Sequence, residues 1–152
     1  MNRKMKKVFL MFITCFISIF SCFACTFTDK PITVNNLPEQ AKVFVTTHFK
    51  GANILYVEKD NDFRGVKYDV HLNNGVEITF DKKGNWDKVD MNTMTAVPNE
   101  IIPMFIKKYV EENFKNSIIT KIDKERWGYE IEVNDNIEIK FDHKGQVIGF
   151  DD

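Results

Sequence analysis

Two stretches of strict alternation set out the side chains that could do chemistry. In "YDVHL" and "VEITF", residues 68–72 and 76–80, Asp69, His71, Glu77 and Thr79 fall on one side, opposite an apolar set that includes Val70, Leu72, Ile78 and Phe80. In "YEIEV" and "IEIKF", residues 129–133 and 137–141, Glu130, Glu132, Glu138 and Lys140 stand opposite Ile131, Val133, Ile139 and Phe141. Period two with one apolar side marks a half-buried antiparallel strand, so the polar sets form a carboxylate-rich open face. Such a face can be simply solvated, can meet a partner, or can hold a cation. Calcium takes about six to eight converging oxygens. Carboxylates strung along strands seldom converge, and no D-x-D-x-D-G loop occurs.

Trp86 is the aromatic residue of most interest. Alternation counted from Phe80, with Val89 and Phe150 taken as inward, places Trp86 outward with Lys88, beside the acidic row. An outward Trp is a candidate anchor for a partner, since Trp is enriched at interaction hot spots; it can equally cover a junction within the fold. Phe63, in "KDNDFRG", is a second contact candidate on a polar hairpin tip, or a side chain folded back on its own strands. Trp127 shares the parity of Tyr129 and belongs with the core.

Several chemistries find no support. His48, His71 and His143 lie near a helix end, on the open face and in a turn, which does not suggest the tetrahedral ligand set of a zinc site. Ser117 is the only serine beyond the first 25 residues and has no G-x-S-x-G context. There is no Gly-rich phosphate loop. Paired carboxylates could serve a glycosidase, but that work needs a deep cleft in a domain with little room for one. The reading is therefore non-catalytic, with no cofactor and no metal.

The elements that position these residues are written twice. "GVEITFDKKGNWDKVD" (Gly75 to Asp90) returns as "NIEIKFDHKGQVIGFDD" (Asn136 to Asp152). Each is preceded by an amphipathic stretch that opens with an apolar residue and Pro: Leu37 to Phe49 and Val97 to Phe114. Pro with its fixed φ suits a helix start, and an early carboxylate suits the helix dipole. Ala41, Phe44, Val45, His48 and Phe49 make one stripe; Ile101, Phe105, Tyr109 and Phe114, flanked by Ile102, Ile106 and Val110, make the other. Pro103 inside the second pattern delays or kinks that helix. "ANILYVEKD" and "SIITKIDKE" read as strands. "NNG" and "NDN" supply residues that tolerate positive φ, and "DKKG" and "DHKG" fit turns closed by a left-handed Gly. The expected fold is α+β: a tandem duplication, each repeat an N-terminal helix followed by a four-stranded antiparallel sheet, over residues 37–90 and 97–152.

The chain has 152 residues with 21 basic and 22 acidic side chains. Arg3, Lys4, Lys6 and Lys7 precede the uncharged stretch Val8 to Cys25; without them the remainder has 17 basic against 22 acidic groups. An acidic domain repels phosphate backbones, which argues against nucleic acid. The basic start, apolar run and small residues Cys22 and Ala24 read as an export signal over residues 1–24. Alternatives are a retained membrane anchor or a lipid on Cys22 or Cys25. Residues 25–36 read as a tether or a short leading strand. All three cysteines, Cys15, Cys22 and Cys25, lie in the first 25 residues, so the domain has no thiol for disulfides or thiolate sites.

"DKPITV" followed by "LP", then "YDV", "GVEITFDKKGNWDKVD", "VP", "YEIEV" and "IEIKFDHKG", resembles the PepSY-like family of exported bacterial proteins, described as β-lactamase-inhibitor-like. The resemblance runs from Asp29 to Asp152. It implies a fold related to β-lactamase inhibitory proteins, with a sheet face available to a partner; relatives among those inhibitors usually carry disulfides, and this domain has no cysteine. The expectation is an exported, periplasmic or secreted binding module for a protein or peptide, with Trp86, Lys88, Asp69, His71, Glu77, Glu130, Glu132, Glu138 and Phe63 as contact candidates. The alternative is an envelope sensor of a small ligand or cation.

Overall fold

The computed structural model describes residues 30–62, 65–92 and 94–151. The expected export signal, both lipidation candidates and Phe63 lie outside them. The strands are β1 (Lys30–Ile32), β2 (Ile54–Asp62), β3 (Gly65–Leu72), β4 (Glu77–Asp81), β5 (Trp86–Asp90), β6 (Ile119–Glu125), β7 (Gly128–Val133), β8 (Ile137–Asp142) and β9 (Val147–Asp151). Helix α1 (Glu39–His48) follows β1, and α2 (Met104–Asn113) follows β5.

One expectation is corrected. The strands do not divide into two helix-plus-four-stranded sheets in a tandem duplication. They form a single nine-stranded antiparallel sheet in chain order, β1 to β9, and the described residues hold two α-helices. The join lies between β5 and β6, where Lys88 pairs with Asp123, Val89 with Ile122 and Asp90 with Lys121. Two separate sheets would leave both of these strands as open edges, with a row of unpaired N–H and C=O groups on each. Pairing them satisfies those groups and lets one core run through. The sheet begins with the short leading strand, one of the two readings of residues 25–36. Lys30 to Ile32 pairs with β2, Ile32 opposite Val57.

Both helices start at a proline. Pro38 and Pro103 each stand just before the first helical residue, and their carbonyls accept from Ala41 and Lys42, and from Ile106 and Lys107. The helix expected from Val97 thus begins at Met104, after a 3-10 turn over Asn99–Ile101. Ala41 and Val45 from α1, Phe49 just after it, and Ile106 and Val110 from α2, are buried on the sheet. The face they cover is the apolar set of the alternating strands: Val70, Leu72, Ile78, Phe80, Ile131, Val133, Ile139 and Phe141 are buried, the two Phe completely. Phe44 meets Phe80 edge-on at 5.6 Å, and Tyr109 meets Phe141 edge-on at 5.3 Å. Each such Phe contributes about 1.5–3 kcal/mol through burial, before any edge-to-face term.

The two "D-x-K-G" turns position the helices. Asp81 Oδ1 accepts from the backbone N–H groups of Lys83 and Asn85; Asp142 Oδ1 does the same for Lys144 and Gln146. Gly84 has φ +89°, and a Cβ there would lie 2.9 Å from the backbone nitrogen of Ala41. Gly145 has φ +82°, and its Cβ would lie 2.9 Å from the Phe105 ring. The glycines therefore serve the turn and also the close approach of each helix.

Candidate functional site

The helices cover one side of the sheet. Pairing aligns the polar side chains of the other side into rows that cross the strands. One row runs Glu58, Asp69, Thr79, Lys88, Asp123, Glu130, Lys140. The next runs Tyr56, His71, Glu77, Asp90, Lys121, Glu132, Glu138, Asp151. Asp69, His71, Glu77, Lys88, Glu130, Glu132 and Glu138 are thus brought together on one continuous face, as the alternation predicts. Glu58, Asp90, Lys121, Asp123 and Tyr56 join them. All but Asp90, the last residue of β5, lie on β2 and β6, which read from sequence only as apolar runs, although Lys121 and Asp123 alternate with Thr120 and Ile122.

Part of the face is internally matched. Thr79 Oγ1 donates to Asp69 Oδ1 at 2.6 Å. Lys88 lies 3.2 Å from Asp90, and Lys121 lies 3.4 Å from Asp123. Lys140 contacts Glu130 at 3.8 Å and also pairs with Asp151. His71 sits between Glu77 at 3.3 Å and Glu58 at 3.7 Å, under the Tyr56 ring stacked at 4.2 Å.

Another part is mismatched. Glu138 stands directly opposite Glu132 on one side and Asp151 on the other. Like charges directly opposite are destabilising in a sheet. Partial burial, with Glu138 next to it, holds the Glu130 carboxyl above the usual range. Glu132 is also held up, first by burial and then by Asp135, Asp90 and Glu138, against the pull of Lys121. Burial likewise raises Asp123 despite Lys121 and Lys88. Lys121 is raised because Asp123, Asp90 and Glu138 together outweigh its own burial. The face is a net acidic field in which carboxylates outnumber lysines. Among the described residues no three of His, Cys, Asp and Glu gather closely enough to hold a metal ion.

Trp86 is not on this face. Thr79 pairs with Lys88, but Phe80 pairs with Trp86, so the strand carries an additional residue, Asp87, between the two pairs. This β-bulge shifts the parity by one and turns Trp86 to the helix side. There it lies 6.2 Å from Phe44, while Lys124 Nζ sits 3.4 Å above its ring and donates to its carbonyl at 2.9 Å. The expectation of an outward Trp86 beside Lys88 is corrected on this point. β9 has the same irregularity: Lys140 pairs with Gly149 and Phe141 with Val147. Phe150 is aligned with Ile139 on the helix side, yet it stays 51% exposed on the last strand. Trp127 is partly buried in the turn between β6 and β7.

An antiparallel sheet with helices on one side and an acidic, helix-free side on the other defines a class of small α+β domains. The chain belongs to the PepSY-like family: the family model described as "Putative beta-lactamase-inhibitor-like, PepSY-like" matches residues 66–149. Solved structures agree. A "putative periplasmic protein from DUF2874 family" from Bacteroides vulgatus is 38% identical with a TM-score of 0.75, covering 82% of this chain and 97% of that one. A "putative periplasmic protein of unknown function" from the same species is 31% identical with a TM-score of 0.78, covering 82% and 100%. A "putative calcium-regulated periplasmic protein" from Bacteroides thetaiotaomicron is 38% identical with a TM-score of 0.75, covering 82% and 97%. No curated protein matches the chain. Among the described residues no helix is long and apolar enough to cross a membrane.

Proposed function

We propose that this chain is a non-catalytic periplasmic binding module whose helix-free sheet face docks a basic segment of a protein or peptide partner. The observation that carries the reading is the row Glu132, Glu138, Asp151, in which like charges face one another across strands. A partner's Lys or Arg side chains would relieve that repulsion on docking, and complementary fields favour encounter. The flanking ion pairs keep the remaining side chains ordered, which limits the entropy lost on binding. The periplasmic description of the solved relatives supports the location, together with the basic and apolar start of the chain.

The test is capture from the host's envelope fraction on immobilised protein, with wild type and a Glu132→Lys/Glu138→Lys variant side by side. The reading expects a protein retained by wild type, released as salt rises, and lost by the variant. Equal retention by both would put the interface elsewhere.

A second reading is cation binding on the same face. It is favoured by the relative described as calcium-regulated. Calcium would then take fewer than three of that face's side chains together, with carbonyl oxygens and water completing its ligand set. A ligand that binds only the folded state raises its stability. The first reading expects a melting temperature unchanged by millimolar calcium; a saturable rise would favour the second.

A further inference from the structure

Behind the sheet, between α1 and the β5–β6 pair, lies a cleft of about 460 Å3. Val43, Phe44 and His48 of α1 form one wall; Asn85, Trp86 and Lys124 form the other. At its edge Gln40 Nε2 donates to Asn85 Oδ1 at 2.8 Å, both residues being exposed. Two features set it apart from the open face. Its lining includes no acid. It also contains an ammonium that makes no direct ion pair. Lys124 Nζ spends one donor on the Trp86 carbonyl and lies over the ring, and among the described residues no carboxylate is within ion-pair distance of it. An ammonium carries three donors, so at least one remains directed away from these contacts. Partial burial holds this lysine below the usual range, outweighing the attraction of Asp87 and Asp81. The apolar surface beside it is incompletely covered, Val43 being 54% exposed.

We propose that this cleft is a second binding site, taking an acidic peptide segment: a carboxylate on Lys124, and an adjoining aromatic or aliphatic side chain against Trp86, Phe44 and Val43. Charge selects the occupant. A basic peptide would meet a cation that no carboxylate contacts directly, whereas an acidic one supplies a direct ion pair in a partly desolvated setting where a charge-assisted hydrogen bond is strong. The site is independent of the open face, lies on the opposite side of the sheet and has the opposite charge preference.

The test uses 15N-labelled protein, purified as the host processes it, titrated with the blocked tripeptides acetyl-Asp-Phe-Asp-amide and acetyl-Lys-Phe-Lys-amide and with phenylacetate. The readout is the indole N–H resonance of Trp86, with that of Trp127 as internal control. The acidic peptide should shift Trp86 saturably, leave Trp127 in place, and bind roughly fivefold or more tightly than the lysine peptide, the range of one modest charge contact. Lys124→Met keeps an unbranched stem over the ring and should erase the preference; Lys124→Arg should retain it. Equal binding of the two peptides, no movement of Trp86, or an unchanged preference in Lys124→Met would overturn the proposal. Phenylacetate binding as tightly as the acidic peptide would also overturn it, assigning the cleft to small organic acids.

Discussion

Glu138 is held between two carboxylates by register alone. A cation there would turn two repulsive cross-strand contacts into attractive ones, so Glu138→Lys should raise the unfolding free energy by about 0.2–1 kcal/mol in urea denaturation. A neutral or destabilising outcome would mean that Lys121 and Lys140 already neutralise the row. The same side chains give a pH dependence. Glu130, Glu132 and Asp123 have folded values above their ordinary 4.5, 4.5 and 3.8, so the folded state binds their protons more tightly than the unfolded chain. The stability this confers is present at low pH and is lost as pH rises through the ordinary values to the higher folded ones. Asp81 acts oppositely. Its burial is outweighed by hydrogen bonds from Asn85, Lys83 and Gly84, its folded value is lowered, and its contribution is lost only as pH falls below 3.8. The melting temperature should therefore rise as pH falls from neutral toward the ordinary carboxylate value of 4.5, and a flat or falling profile would contradict the raised carboxylates. The open-face residues were legible because alternation needs only local sequence. Trp86 was not, because one additional residue, Asp87, inverts every parity beyond it and leaves no mark in composition.

At the scale of elements, the turn glycines link strand to helix. Gly84→Ala would force a Cβ to 2.9 Å from the Ala41 nitrogen at a φ of +89°. The strained backbone should cost roughly 1–3 kcal/mol, and the displaced helix start adds to it. Thermal denaturation of Gly84→Ala beside Gly51→Ala separates the two contributions. Gly51 has nearly the same φ, +87°, with open space at its Cβ, so it reports strain without the helix contact. Gly84→Ala should be the more destabilised; equal losses would remove the helix-docking role. The turns, the two helix stripes and the break at Pro103 were readable in advance, since each rests on a local rule: Gly for positive φ, Pro at a helix start, apolar residues at helical spacing. The face of β6 was not, because its polar residues were never set against those of β5 until the two strands were known to pair.

At the scale of the molecule, the β5–β6 ladder makes one sheet and one core. That pairing is long-range, with α2 lying between the strands in the chain, and no local pattern announces it. It predicts a single cooperative unfolding transition, coincident by far-ultraviolet circular dichroism and by tryptophan fluorescence. Two transitions would mean that the parts on either side of the join fold as independent units. The joined sheet also makes the acidic side continuous, from Glu58 on β2 to Asp151 on β9, so a partner can be met across the whole of it. The most direct test of that role is the affinity of the captured partner for wild type and for Glu138→Lys, measured across a range of ionic strength, with the variant's stability determined in parallel. The account predicts binding that weakens as salt rises and that falls by roughly tenfold or more in a variant at least as stable as wild type. Binding indifferent to salt and to Glu138→Lys would contradict it.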